Sequence, residues 1–262
     1  ITMTQLNTPN IPNILILYHA NCMDGAGALY VAVTALREQY PNARIVSRPC
    51  EYTDRDRTTK ILLHLASLGS LLDTYDHIYV LDFSFTPEQF KRLCTIATEV
   101  TCIDHHKTAC DELLYPGNRD TFPKNLHLLL DTDNRNSGVI LAWKHFTDLN
   151  ANNGAALPSS VLRYIEDRDL WKFQLPESRA VNTWLHAHVN IGTESQQQLI
   201  SDVQFCIDTL EIDPCKIIKE GQLLLAQRED YCAAIAAGAT VCFDRALVVC
   251  NCQHTFASDV AE

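Results

Sequence analysis

Apolar residues in the first two-thirds of the chain fall alternately into short continuous runs and longer stretches with helical spacing. Residues 13–18 (NILILY) form a continuous β-prone run, the pattern of a strand buried on both faces. From Gly25 to Gln39 small and apolar side chains (Ala28, Leu29, Ala32, Val33, Leu36) recur at helical spacing, which predicts a helix ending before Pro41. Residues 44–47 predict the next strand, 58–72 a helix, and 78–81 a third strand that runs into Asp82-Phe83-Ser84. Thr86-Pro87-Glu88-Gln89 carries three helix-start signals: Thr as N-cap, Pro at the first position, and Gln89 to close a capping box. Residues 100–103 and 126–130 predict two further strands, and Asn136-Ser137-Gly138 opens a helix over 139–146. Strand and helix in alternation argue an α/β fold, a doubly wound, mostly parallel sheet with helices on both faces.

After about Leu149 the period changes. Ser159 caps a helix leading into Ile165-Glu166-Asp167-Arg168-Asp169-Leu170-Trp171, and residues 179–189, 194–210 and 214–237 read as helices. Residues 240–243 and 246–250 read as short strands around Asp244-Arg245, and a helix starts at Thr255. The expected parts are a tail (1–12), a catalytic α/β domain (13–190), a helical linker (191–238) and the unfinished start of a small second α/β domain (239–262).

With 262 residues, 47% of them hydrophobic, and a mean hydropathy of -0.08, the chain can bury a sizeable core in one large or two modest domains. No apolar run approaches the length of a membrane span, so no membrane partner is expected. The first dozen residues lack the basic start and apolar centre of a secretion signal. The net charge of -11 argues against backbone contacts to a long duplex nucleic acid. An acidic protein can still handle phosphate where bound cations invert the local field. The eleven cysteines are scattered; only Cys250 and Cys252 are close, and there is no C-x-x-C pair. That fits reduced thiols in a cytoplasmic protein, mostly buried as small apolar residues. A homodimer is left open.

Polar groups stand at equivalent places, each ending an apolar element: His19 with Asp24, Asp82, Asp104-His105-His106, and Asp167. Taken singly, each has a plain explanation. Asp82 can cap a turn, Asp24-Gly25 can be a turn, Asp167 can pair with Arg163 or Arg168, and the two histidines can sit in a surface loop. Together they are less ordinary, because the carboxyl ends of neighbouring parallel strands converge on one crevice. Successive strand residues point to opposite faces, so one His is expected to ligate and the other to face substrate. Imidazoles and carboxylates without a thiolate quartet suit Mn²⁺, Mg²⁺ or Co²⁺. The ligands suffice for two ions sharing a carboxylate, the usual clamp for displacement at phosphorus.

Four motifs carry a family resemblance: His19-Ala20-Asn21-Cys22-Met23-Asp24-Gly25, Leu81-Asp82-Phe83-Ser84, Asp104-His105-His106 and Ile165-Glu166-Asp167. In order and spacing, over about residues 13–170, they resemble the DHH-family phosphoesterases. That superfamily includes family II inorganic pyrophosphatases, exopolyphosphatases, single-strand exonucleases, and small oligonucleotide or cyclic-nucleotide phosphodiesterases. The resemblance implies two metal ions, usually Mn²⁺, with Asp82 as the bridge. Asp24, His105 and Asp167 would serve one ion and His19 the other. It also implies catalytic roles for Asp82, Asp104 and His106, and substrate contacts from His106, Lys107, Ser137 and Gly138. Cys22 replaces a second Asp usual in the first motif and is a further candidate ligand; some nucleotide-type relatives share an Asn-Cys-x-Asp-Gly loop. The Gly-rich, His-containing loop of the family's second domain is absent from these residues, although Val248-Val249-Cys250-Asn251 and Phe256-Ala257-Ser258 resemble that domain's opening. The expected activity is hydrolysis of phosphodiesters in short oligonucleotides or small nucleotides. The alternatives are an inorganic pyrophosphatase or exopolyphosphatase, and a non-catalytic nucleotide- or metal-sensing module.

Overall fold

The computed structural model describes residues 11–52, 75–149, 158–193, 195–238, 240–242 and 247–249. The helices expected at 58–72 and from Thr255 lie outside the described residues.

Five strands, β1 (Asn13–His19), β2 (Arg44–Cys50), β3 (Tyr75–Leu81), β4 (Ala97–Asp104) and β5 (Leu126–Leu130), form one sheet in the order β2-β1-β3-β4-β5. Every pairing is parallel. Chain direction across the sheet reverses between β1 and β3. Open sheets of this order bind ligands in the crevice at that point, outside the carboxyl ends of the strands. The register fixes what stands there. Tyr18 pairs with Leu81 and Leu81 with Ile103. The residues that follow, His19, Asp82 and Asp104, therefore end three adjacent strands on one line.

Strand alternation divides the core in two. Ile14, Ile16, Tyr18, Leu81 and Ile103 point to one face, and Leu15, Leu17, Val80, Val100 and Cys102 to the other. The first face is covered by α1 (Met23–Gln39), α5 (Gly138–Leu149), α6 (Ser160–Asp169), α7 (Ser178–His188) and α8 (Gln196–Ile212). The second takes α2 (Pro87–Leu93) and α3 (Lys107–Leu114); a single turn, α4 (Pro116–Arg119), follows α3. The capping box on α2 forms: Thr86 Oγ1 accepts from Gln89 N, and Gln89 Oε1 accepts from Thr86 N at 3.0 Å. Ser159, by contrast, makes no side-chain cap bond to α6.

The expected linker 191–238 is not free of the domain. Leu199, Val203, Cys206, Ile207 and Leu210 on α8, and Ile217 on α9 (Pro214–Ala237), lie in the same buried cluster as β1 and α1. Trp184 on α7 donates its indole N–H to Glu220 on α9 at 2.9 Å. The apolar stripe of α8 would otherwise face water, so this helix forms a wall of the α/β domain. Strands β6 (Thr240–Cys242) and β7 (Leu247–Val249) pair antiparallel in a separate two-stranded sheet. No helix among the described residues is long and apolar enough to cross a membrane. Among the described residues the cysteines are thiols, with no disulfide between them.

Candidate metal centre

Asp82 occupies the middle of the crevice. It is fully buried, and its φ of 53° is a left-handed conformation that a non-glycine residue adopts only where surrounding structure enforces it. Here the enforcement is visible: Asp82 N donates to Ile103 O at 2.8 Å, which continues the ladder while the chain leaves the strand. Two triads of candidate ligands share this residue, His19–Asp82–His106 and Asp24–Asp82–His105, with ligand atoms within 4.8 Å of one another in each. His19 Nδ1 stands 3.3 Å from Asp82 Oδ2, and His105 Nε2 stands 3.2 Å from Oδ1.

None of these approaches is a well-formed hydrogen bond. Both Asp82 oxygens, Asp24 Oδ2, His19 Nδ1 and both His105 nitrogens are buried without a hydrogen-bond partner. Buried polar atoms are nearly always satisfied, and a cluster of exceptions needs a reason. A bound divalent cation answers all of them but His105 Nδ1, since unpaired donors gathered around Asp82 are what coordination requires. Imidazoles and carboxylates converge here without a thiolate set, a donor chemistry that suits a hard or borderline divalent ion. The residues present therefore fit a divalent metal.

Both histidines of the Asp-His-His motif face Asp82, contrary to the expectation that they would diverge. The strand ends at Asp104, and the chain turns at once into α3 with His106 as its N-cap. Asp104 makes that turn. Its Oδ1 accepts from His105 N at 2.8 Å, His106 N at 3.2 Å and the His106 ring Nδ1 at 2.7 Å, while Oδ2 accepts from Ser84 Oγ at 2.5 Å. With its oxygens so occupied, Asp104, expected as a catalytic group, holds the backbone of both histidines and the His106 ring in place. It engages His106 Nδ1, the nitrogen that also stands 3.8 Å from Asp82 Oδ1.

Asp24 is delivered by the first turn of α1. Gly25 beside it is obligatory, because a Cβ there would lie 2.2 Å from His19 O. Asp24 Oδ1 accepts from Ser137 Oγ at 2.6 Å and from Val139 N at 3.1 Å, which leaves Oδ2 facing His105. Ser137 is fully buried, and Glu166 Oε1 accepts its N–H at 3.2 Å. Ser137 and Gly138, expected at the substrate, stand against the carboxylates of Asp24 and Asp82. Gly138 gives them room: a Cβ at this position would sit 2.6 Å from Asp82 Cβ and 2.8 Å from Asp24 Oδ2.

The expected fourth ligand, Asp167, is turned away. Its oxygens accept from Gln174 N at 2.9 Å and Leu175 N at 3.2 Å, tying down the turn after α6. Two residues on, Asp169 Oδ2 lies 3.3 Å from His105 Nε2. Val161, Ile165 and Asp169 are spaced four apart and share one helix face, whereas Asp167 is about 200° round the helix from Asp169. That i, i+4 stripe is the available signal for Asp169. Cys22 is the N-cap of α1 and lines a smaller cavity with Asp24 and Asp169. Lys107 is exposed, pairs with Asp111 at 2.9 Å, and lines a cavity of about 690 Å³ beside His106.

Proton affinities follow from this crowding. Burial opposes charge on His105, but Asp82, Asp169 and Asp104 outweigh it and raise its pKa to about 9. His106 is raised in the same way, against burial, chiefly by Asp104. Burial, then Asp169 and Asp82, push Asp24 well above the usual carboxylate range. Burial and Asp82 raise Asp169 to about 6. Asp82 goes the other way: burial is outweighed by the imidazoles of His105 and His19. Burial and the carboxylates of Asp82, Asp169 and Asp24 keep the Cys22 thiol protonated well above its ordinary range. A thiolate there would need a cation beside it.

No protein-family model matches the chain. An uncharacterized protein of Acanthamoeba polyphaga mimivirus is 24% identical over 175 residues, 66% of this chain and 37% of that protein. Among solved structures, RecJ from Thermus thermophilus in complex with Mn²⁺ aligns with 86% of this chain and 37% of its own, at a TM-score of 0.42 and 14% identity. The chain spans little more than a third of the length of either.

Proposed function

We propose that the protein is a metal-dependent phosphoesterase whose centre is Asp82, the shared member of two ligand triads. The observation that carries this reading is the set of buried oxygens and ring nitrogens converging without hydrogen-bond partners at the carboxyl ends of β1, β3 and β4. The resemblance of the four sequence motifs to DHH-family phosphoesterases supports it. Asp24, Asp82, His105 and Asp169 would hold one ion, and His19, Asp82 and His106 the other. Bound there, a pair of divalent cations supplies a water of lowered pKa and neutralises charge developing on phosphorus.

The protein's own groups do the rest. Asp104 would act by positioning, fixing the His106 ring through its Nδ1. Ser137 and Val139 fix Asp24 in the same sense. Substrates of the proposed class are short oligonucleotides or small nucleotides. The test is metal content after loading with Mn²⁺, followed by hydrolysis of a dinucleotide and of pyrophosphate. Metal stoichiometry below one per chain, with no Mn²⁺-dependent turnover of either substrate, defeats the reading.

A further inference from the structure

We propose that Tyr52 is a stacking platform for a nucleobase next to the metal centre, so that the site takes a base-bearing phosphodiester and not pyrophosphate or polyphosphate. The proposal rests on the phosphoesterase reading above and adds the part of substrate that the metal centre itself cannot recognise.

Tyr52 follows β2 and reaches across the end of the sheet. Its ring stacks on Phe83 with centroids 4.3 Å apart and planes 28° apart. It meets the His19 ring edge-on at 5.6 Å and the His106 ring at 5.5 Å. Its hydroxyl accepts the Ser84 N–H at 2.9 Å. Phe83 is itself buried and braced by Phe85 at 5.1 Å. The Tyr52 ring is thus held rigidly by its edge, its hydroxyl and one face. Fixing the loop after β3 accounts for these contacts, yet the residue remains 38% exposed and lines the cavity of about 690 Å³ beside His106. A partly exposed aromatic ring lining this cavity, one ring away from the candidate ligands, is a surface on which a flat ligand can stack.

Size separates the substrate classes. The volume lies within the roughly 300–1,000 Å³ of small-molecule sites and exceeds any need of pyrophosphate. Stacking needs only a π-face, so little preference among bases is expected.

The test compares an adenine dinucleotide with the same phosphodiester carrying abasic sugars, using protein loaded with Mn²⁺. Loss of one base–aromatic stack corresponds to about a 5- to 150-fold change. Wild type should favour the base-bearing substrate in kcat/KM by that factor. Tyr52→Ala should bring the ratio toward one, and Tyr52→Phe, which keeps the ring but loses the Ser84 contact, should preserve it. Because the readout is a ratio, a variant that merely folds less well does not move it. A second readout needs no turnover: 2-aminopurine nucleoside 5′-monophosphate should be quenched on binding wild type and Tyr52→Phe, but not Tyr52→Ala. A wild-type ratio near one, a ratio unmoved by Tyr52→Ala, or faster hydrolysis of pyrophosphate than of the dinucleotide overturns the proposal while leaving the phosphoesterase intact. Quenching that depends on Tyr52 without hydrolysis of any substrate upholds the platform and removes the phosphoesterase. Neither quenching nor hydrolysis overturns both.

Discussion

Replacing Gly138 by Ala sets two simple physical expectations against each other. Gly138 is the first residue of α5, and Ala is favoured over Gly in a helix by about 0.5–1 kcal/mol. Propensity alone therefore predicts a slightly more stable protein. The structure predicts the opposite. The added methyl would stand 2.6 Å from Asp82 Cβ, 2.7 Å from Asp82 Oδ1 and 2.8 Å from Asp24 Oδ2, all inside the 3.0 Å that real Cβ atoms essentially never cross. Neither neighbour yields easily. Asp82 is fully buried at a positive φ, and Asp24 is tied by Ser137 and Val139. Overpacking of this kind costs about 1–3 kcal/mol. Set against the propensity gain, the net loss is on the order of 1–2 kcal/mol, or about 2–8 °C in Tm.

The larger effect falls on the metal. The methyl displaces two carboxylates that the triads require, and disturbing groups that orient ligands typically lowers affinity about 10- to 100-fold. Calorimetric titration with Mn²⁺, alongside thermal unfolding in EDTA, measures both. Gly192→Ala is the control: a Cβ there meets atoms no closer than 3.6 Å, so both measurements should stay at wild type. A Gly138→Ala protein with raised Tm and unchanged Mn²⁺ affinity would mean that the carboxylates have room to spare and that the cradle is misread.

Asp82→Asn should keep the fold, since Asn tolerates the left-handed backbone; Mn²⁺ affinity and turnover should fall by more than the roughly 100-fold upper end for a lost orienting partner, and near-normal loading on calorimetric titration would refute the shared role. Asp169→Asn should weaken Mn²⁺ binding about 10- to 100-fold at little cost in Tm, whereas Asp167→Asn should lose about 1.5–3 kcal/mol of stability with affinity preserved; the reverse pattern in paired titration and unfolding experiments would restore Asp167 as the ligand. In metal-free protein the His105 pKa is raised from 6.5 to about 9, so its stabilisation is complete below about 6.5 and lost as pH rises through 9. Asp169, raised to about 6, likewise disfavours the folded state as pH rises from its ordinary 3.8 through 6. Tm in EDTA should therefore decline from pH 6.5 to 9 while Mn²⁺ affinity climbs, and a Tm that rises over that window would contradict the charge balance.

Much of this is legible in the sequence because it depends on local pattern. The five strands follow from apolar runs, and the helix at residues 214–237 follows to the residue. His19, Asp82 and Asp104 stand out because each ends such a run, and parallel register does the rest. Tertiary detail is not legible. Asp167 and Asp169 differ only in helix phase, and the motif-like Glu-Asp draws attention to Asp167, whereas Asp169 stands beside His105. Nothing in the identity of Ser137 and Gly138 shows that Asp24 and Asp82 press against them. The helix at 196–212 reads as a linker because its partners lie far away in sequence, on β1 and α1. Tyr52 lies outside every motif.

The electrostatics explain how such a centre can fold before any cation arrives. Asp24, Asp82 and Asp169 face the imidazoles of His19, His105 and His106 across contacts of 3.2–3.8 Å. Three bare carboxylates packed so closely would repel one another strongly, because burial removes the water that screens them. Protons relieve that repulsion. The raised pKa of His105 and His106 keeps positive charge beside Asp82, and the raised pKa of Asp24 and Asp169 lets those acids take up protons and lose negative charge. Cations do the same with fixed charge, but only once those protons leave, because ligand nitrogens and oxygens must be deprotonated to coordinate. Under the proposed metal-centre reading the same residues would hold protons in one state and metal in the other. Metal uptake at neutral pH would then release protons, and carboxylates too crowded to ionise together would be an advantage once divalent charge is bound between them.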